Sequence, residues 1–158
     1  MTASEINNDE RHSLRPKHGS AEPSHGERVY YPSSFHDIDA MVEECWQSIR
    51  KEIIRHGYTE SEVKIHMALA EALINAWKHG HGRNKKLPII FRWHFDHQFT
   101  FEVLDQGPGF NFRSLPDPTN REKITDDNGR GIFIIRTFAQ EVDWRDHGRH
   151  LVVSFSHP

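Results

Sequence analysis

The stretch Leu69–Gly82, LAEALINAWKHGHG, combines the composition of a buried helix with a regular set of polar residues. Alanine, leucine and isoleucine dominate it, yet Glu71, Asn75 and His79 recur at every fourth position. Residues four apart lie on one face of a helix, with Cβ atoms about 6 Å apart. One face of a largely apolar helix therefore carries a carboxylate, a carboxamide and an imidazole. This pattern is typical either of a solvated polar face or of the lining of a site.

The bulk composition indicates a soluble protein of one domain. A chain of 158 residues is long enough to bury a core of its own. The formal net charge of -3 argues against a nucleic-acid partner, because general nucleic-acid binders carry a basic stripe. Cys45 is the only cysteine, so an intramolecular disulfide is excluded and a cytoplasmic localisation is expected. The sequence has neither a membrane-spanning apolar run nor a signal-peptide pattern, so no membrane contact is expected.

The first 28 residues differ from the rest of the chain. Met1, Ile6 and Leu14 are their only large apolar residues. Such a segment cannot bury enough surface to offset the entropy lost on ordering. We therefore predict a disordered polar tail over residues 1–28 and a folded domain over residues 29–158.

Two helices are predicted before the centre of the chain. Ser34 and Asp37 form a capping pair, and apolar residues at helical spacing follow as far as Ile53, with Gly57 ending the run. Thr59 and Glu62 predict a second capping box, at the start of the helix that contains the opening stretch. Gly80 or Gly82 would end that helix.

The remaining elements are mainly strands. Residues 29–32 form a short strand candidate, residues 87–96 alternate strictly between apolar and polar, and residues 99–105 return after a predicted hairpin turn. Residues 129–140 predict a third helix, and residues 141–155 predict a last hairpin that turns near His147 and Gly148. This order predicts an α+β fold, a two-layer α/β sandwich with helices on one face of a mostly antiparallel sheet.

Asp105 is unexpected at its position in the predicted strand. The alternation of side chains puts it on the same face as the apolar residues Phe99, Phe101 and Val103. A carboxylate on such a face is costly unless it is paired, although a residue at a strand end can simply cap a turn. The sequence DQGPGF, residues 105–110, then places two glycines next to it, which would let a ligand approach the backbone closely. An ordinary tight turn is the alternative interpretation.

A second glycine pair occurs in NGRGI, residues 128–132, where the third helix is predicted to begin. Free backbone N–H groups and the positive end of a helix dipole suit a phosphate, although a glycine hinge would give the same pattern. In the opening stripe, Glu71 could accept a proton from a hydroxyl group. Asn75 could offer its carbonyl oxygen to Mg²⁺, which prefers oxygen ligands.

The three motifs, taken in this order, resemble the GHKL ATP-binding fold. EALINAWKHG matches its N box, DQGPGF its first glycine box and NGRGI its second. Within that superfamily, the sequence is most similar to the anti-sigma factor serine/threonine kinases of the RsbW and SpoIIAB type. The resemblance covers roughly residues 29–155.

The resemblance implies a role for each motif residue. Glu71 would be the general base, Asn75 would coordinate Mg²⁺, and Asp105 would accept a hydrogen bond from the adenine amino group. The further residues that it places at the ATP are His79, Gly80, Gly107, Gly109, Phe110, Gly129, Arg130 and Gly131. Arg113, Arg121 and Lys123, in the predicted lid between the glycine boxes, either add phosphate contacts or are surface charges.

The function implied by the resemblance is that of an ATP-dependent serine/threonine kinase in a bacterial partner-switching system. Its substrate would be a STAS-type anti-anti-sigma protein, and it would hold a sigma factor or another regulator. Members of this family are commonly dimers, so a homodimer is also expected.

Three other interpretations compete with this one. A non-catalytic ATP-binding module could sequester a regulator, although such a module has no need of Glu71 as a base. The catalytic domain of a sensor histidine kinase would need a phosphoacceptor hairpin, whereas only one predicted helix precedes the N box. The histidine pairs His79/His81 and His94/His97 lack the partners that a zinc site requires.

Overall fold

The computed structural model describes residues 24–81, 84–114 and 127–158. In chain order, its α-helices and strands are β1 His25–Tyr30, α1 Phe35–Arg55, α2 Glu62–Asn75, β2 Ile89–Phe95, β3 Phe99–Leu104, α3 Asp127–Phe138, β4 Glu141–Arg145 and β5 His150–Phe155. A π-helical segment, Ala76–His81, continues α2. Within the described ranges, no helix is both long enough and apolar enough to span a membrane.

The five strands form one sheet in the order β1-β2-β3-β5-β4, and every neighbouring pair is antiparallel. Alternate residues of the central strands build the core. Trp93 lies opposite Phe101, which lies opposite Val153, and all three side chains are buried. The predicted fold class, a two-layer sandwich of helices and an antiparallel sheet, is confirmed.

Helix α1 follows its prediction closely. Ser34 caps its first turn by accepting a hydrogen bond from the Asp37 backbone, and the Asp37 carboxylate accepts one in return from the Ser34 backbone. The predicted apolar stripe is buried from Ile38 to Ile53. Gly57, with φ of +85°, follows the end of the helix. Local capping and one apolar stripe were sufficient to predict this element.

The first strand begins earlier than predicted. Strand β1 starts at His25 rather than Val29, so residues 25–28 belong to the sheet and not to the predicted tail. Its side chains are mostly exposed, and it is held by its backbone ladder to β2 and by polar contacts. Glu27 pairs with Arg92 at 2.5 Å, and the Arg28 guanidinium lies over the Trp93 ring. Apolar content therefore could not reveal this edge strand. The rest of the predicted tail, residues 1–23, lies outside the described residues.

The start of α2 also differs from its prediction. Thr59–Ser61 forms a short 3-10 turn, α2 begins at Glu62, and the predicted capping box of Thr59 is wrong. Tyr58, just before this turn, is fixed to the sheet, because its buried hydroxyl accepts a hydrogen bond from the Phe99 backbone N–H at 2.8 Å. The same hydroxyl donates to the Phe155 carbonyl oxygen at 3.2 Å. A contact with the sheet, rather than a local cap, therefore determines where this helix begins.

Candidate functional site

A cavity of about 460 Å³ lies between the helix layer and the ends of the strands. Its size falls in the range of small-molecule sites. The predicted site residues that line it are Asn75, His79, Gly80, Asp105, Gly109, Phe110 and Gly129. Glu71, Gly107, Arg130 and Gly131 are not among the described residues that line it. The three motifs, far apart in the chain, therefore meet around one cavity.

The end of the N box is π-helical. The predicted regular helix is wrong after Asn75, because Ala76–His81 is wound more widely. Segments of this kind are rare, and they occur frequently at functional sites. The segment carries Gly80 into contact with the loop after β3: a Cβ on Gly80 would overlap the Asp105 carboxylate. His79, in the same segment, is exposed at the cavity.

Asp105 is held firmly in the loop after β3. Its Oδ1 accepts a hydrogen bond from the Gly107 N–H at 2.8 Å, and its own N–H donates to the Arg149 carbonyl oxygen at 2.9 Å. Burial raises the pKa of the Asp105 carboxyl, while the Gly107 N–H and the Arg149 guanidinium act to lower that pKa. A half-buried carboxylate that faces a cavity and has a raised pKa is typical of a ligand-binding group.

The other end of the site lies where α2 meets α3. Gly131 is buried, and a Cβ there would lie 2.6 Å from Glu71 Oε2 and 3.1 Å from Asn75 Nδ2. The absence of a side chain at Gly131 thus leaves room for the predicted base and the predicted magnesium ligand. Mg²⁺ takes oxygen ligands and usually keeps several waters, so the Asn75 side-chain oxygen, which borders this space, stays the predicted magnesium ligand.

The second glycine box lies at the start of α3, as predicted. Helix α3 is described from Asp127, so Gly129 and Gly131 fall in its first turns. Arg130, between them, is exposed. Arg113 is exposed in the described part of the predicted lid. Arg121 and Lys123 lie outside the described residues, so their predicted phosphate contacts stay predictions.

Sequence reasoning missed one side of the cavity. Trp144, Gly148, Arg149 and Leu151, all from the β4–β5 hairpin, also line it. The turn near His147 and Gly148 was identified, but only as a connection between strands. The available signal in the sequence was Trp144, shortly before a turn that contains a glycine. The sequence alone does not show that Trp144 faces the cavity, because this depends on the order of the strands.

Among the residues described, no group of three or more histidine, cysteine, aspartate or glutamate side chains could hold a metal ion. His94 lies opposite His25 in the β1–β2 pair, and His97 is in the exposed turn after β2.

The sequence of residues 39–156 matches the family model of the histidine kinase-like ATPase domain, and this span is well over half of the chain. The chain belongs to this family. The GHKL resemblance is therefore confirmed at the family level, and the histidine kinase-like ATPase domain of this protein is an ATP-binding module. A search of curated proteins found no significant match.

Proposed function

We propose that this histidine kinase-like ATPase domain is a serine/threonine protein kinase and anti-sigma factor of a bacterial partner-switching system. The observation that carries the proposal is that Glu71 and Asn75 both face Gly131, where α2 meets α3, and that Asn75 also lines the cavity. ATP binding alone needs no carboxylate there, since a negative charge near phosphates is unfavourable unless it accepts a proton or helps to hold a cation.

The base of ATP would bind against Asp105. A carboxylate accepts hydrogen bonds and cannot donate them once ionised, so it is suited to the exocyclic amino group of adenine. Gly80 and Gly107 pack directly against Asp105 and against each other, which brings the backbone close to that carboxylate. The apolar lining residues Val103, Ile132, Ile135 and Leu151 would bury the flat faces of the ring.

The phosphates would lie toward α3. Asn75 would hold Mg²⁺ through its side-chain carbonyl oxygen, and the bound ion would neutralise charge on the phosphates. Gly129 lines the cavity and Arg130 is exposed beside it, so we propose that the backbone and the guanidinium of this segment contact phosphate oxygens. Phosphoryl transfer depends mostly on such positioning and charge neutralisation.

Glu71 would act as the general base. Its carboxylate would accept the proton of the acceptor hydroxyl as that oxygen forms a bond to the γ-phosphorus. The bond from the γ-phosphorus to the bridging oxygen would break, and ADP would leave with the electron pair. General base catalysis of this kind contributes about 10²- to 10⁴-fold to the rate.

The partners follow from the similarity to anti-sigma factor kinases. The substrate would be a STAS-type protein phosphorylated on serine or threonine, and a sigma factor or another regulator would be held when that substrate is absent or phosphorylated. We place the protein in the cytoplasm, with no direct contact to nucleic acid. A homodimer is part of the proposal, and light scattering of the purified protein tests it.

The test is transfer of labelled γ-phosphate from Mg-ATP to each STAS-type protein of the same genome. Wild-type protein and Glu71→Ala are assayed together, with ATP affinity measured for both. We expect one partner to be labelled on serine or threonine, the variant to lose labelling, and both proteins to bind ATP.

Two other outcomes would contradict the proposal in different ways. A stable complex with a partner, ATP binding and no labelling would establish a sequestering module that uses ATP as a structural ligand. Labelling that survives in Glu71→Ala would contradict the role of Glu71 while leaving the kinase.

A further inference from the structure

The turn that joins β4 and β5, Asp146–Arg149, has an unusual backbone. Asp146, His147 and Gly148 have φ values of 48°, 56° and 87° in succession. Positive φ is uncommon at residues other than glycine, and such strain persists only where the surroundings hold it. Arg149 closes the turn: its N–H donates to the Asp146 carbonyl oxygen at 3.1 Å, and its guanidinium pairs with the Asp146 carboxylate at 2.7 Å.

This turn is fastened to the loop that follows β3. The Phe110 N–H donates to the His147 carbonyl oxygen at 2.9 Å, and the Asp105 N–H donates to the Arg149 carbonyl oxygen at 2.9 Å. Packing reinforces these bonds, because a Cβ on Gly148 would lie 2.7 Å from Phe110 Cδ1. The turn therefore contacts both ends of the segment that carries the predicted adenine-binding carboxylate.

The turn and the loop together orient two aromatic rings at the cavity. Phe110 and Trp144 meet edge to face, with ring centroids 6.4 Å apart and an interplanar angle of 86°. The guanidinium of Arg136, a residue of α3, lies 5.1 Å from the Trp144 ring centroid. Both rings line the cavity, Trp144 almost fully buried and Phe110 about one third exposed. Aromatic pairs of this geometry are attractive and offer a large apolar surface to a flat ring.

We propose that the β4–β5 turn is a nucleotide-positioning element, which holds Phe110 and Trp144 as an aromatic corner that packs against the purine base. The proposal rests on ATP binding in the cavity and goes beyond it, since the turn lies outside all three sequence motifs. In this turn the residue of highest φ, Gly148, is also the one that packs against Phe110.

The test compares Gly148→Ala with Gly57→Ala. Both glycines have nearly the same φ, 87° and 85°, but a Cβ on Gly57 would meet no heavy atom within 4 Å. Both variants therefore bear the same backbone strain, and only Gly148→Ala displaces Phe110. Calorimetric titration with ATP should show affinity about 10-fold weaker in Gly148→Ala and within about 2-fold of wild type in Gly57→Ala. Thermal midpoints should fall in both.

Phe110→Ala and the double variant show whether the turn acts through Phe110. We expect Gly148→Ala to cause a smaller loss of ATP affinity in a protein that already lacks the Phe110 ring, where the new methyl meets only the Phe110 carbonyl oxygen, at 2.8 Å. Wild-type affinity in Gly148→Ala, or losses that simply add in the double variant, would overturn the proposal. If Gly148→Ala does not fold, Trp144→Leu replaces it, and unchanged ATP affinity there would also overturn the proposal. Absence of ATP binding by the wild type would instead contradict the proposed function.

Discussion

The two ends of the cavity are built differently. Around Asp105, loops are held by backbone hydrogen bonds, including Asp105 N–H to the Arg149 carbonyl and Phe110 N–H to the His147 carbonyl. Around Glu71, two helices approach through a buried glycine, Gly131, and the groups that face it are flexible side chains. Backbone bonds give a fixed shape suited to recognising a base, whereas side chains on helices can adjust as a phosphate and an acceptor arrive. We expect damage at the Asp105 end to reduce affinity and damage at the Glu71 end to reduce the rate.

The largest expected effect is on the rate, from Glu71→Gln. We expect phosphate transfer to fall by about 10²- to 10⁴-fold, because the amide cannot accept the hydroxyl proton. ATP affinity should stay within about 3-fold of wild type, since the shape of the site is kept. Filter-binding assays of labelled substrate measure the rate, and calorimetry measures the affinity.

Glu62→Gln is the matched control for that variant. Glu62 lies at the start of the same helix, where it pairs with Arg50 at 2.6 Å, well away from the cavity. We expect its transfer rate to equal that of the wild type. Equal losses of ATP affinity and rate in Glu71→Gln would remove the contrast between the two ends.

Asp105→Asn should act on affinity instead. We expect ATP to bind about 10- to 100-fold more weakly, because a charge-assisted hydrogen bond is lost and an amide N–H₂ can face the adenine amino group. Without nucleotide, the thermal midpoint should rise by up to a few degrees, because an ionised, half-buried carboxylate is replaced by a neutral group of the same shape. Calorimetry with ATP and differential scanning calorimetry without it make the two measurements.

Asp143→Asn serves as the control, because Asp143 is an exposed strand residue paired with Arg145 at 2.7 Å. It should leave ATP affinity unchanged. Tight ATP binding by Asp105→Asn would contradict the proposed role of Asp105 in recognising adenine.

Gly131→Ala tests the helix contact at the Glu71 end. The new methyl would meet Glu71 Oε2 and Asn75 Nδ2, so both side chains must shift. We expect the transfer rate to fall about 10-fold while the helix gains up to about 1 kcal/mol of intrinsic propensity. Thermal unfolding and transfer assays should therefore move in opposite directions.

Thr137→Ala, at an exposed position of the same helix, controls for general changes in α3. A normal transfer rate in Gly131→Ala would mean that Glu71 has more freedom than the close contact indicates.

The smallest expected effect is a dependence on pH. Burial raises the pKa of Asp105, so in the folded protein the carboxyl takes up its proton at a higher pH than an unfolded aspartate, whose pKa is about 3.9. ATP affinity should therefore fall as pH decreases through the raised pKa, because the protonated carboxyl no longer accepts as an anion. Stability without nucleotide should change in the opposite sense. Between the two pKa values the folded state binds more protons, so lowering the pH stabilises it.

Calorimetric titrations and thermal unfolding over mildly acidic pH measure both trends. Asp105→Asn should lose the part of each pH dependence, of ATP affinity and of stability, that comes from titration of this carboxyl. Identical pH profiles in the variant and the wild type would contradict the assignment.

Much of the fold followed from local patterns. The alternation of residues 87–96, the Ser34 cap and the stripe of α1 each depend on neighbouring residues, so the sequence was sufficient to predict them. Strand β1 and the start of α2 were mispredicted because their positions depend on partners distant in the chain. Backbone pairing with β2 holds His25–Arg28, and the sheet anchors Tyr58.

The sequence by itself determined the identity of the chemical groups: a carboxylate and a carboxamide at helical spacing, an aspartate on an apolar strand face and two glycine pairs. These depend on residue type and short-range spacing, which folding does not change. Only the tertiary structure decided that the π-helical segment presses Gly80 against Asp105, that Gly131 leaves room for Glu71, and that the β4–β5 turn meets Phe110. Such contacts join residues distant in the chain, and the packing of α2 on α3 together with the order of the strands, rather than any local preference, brings them together.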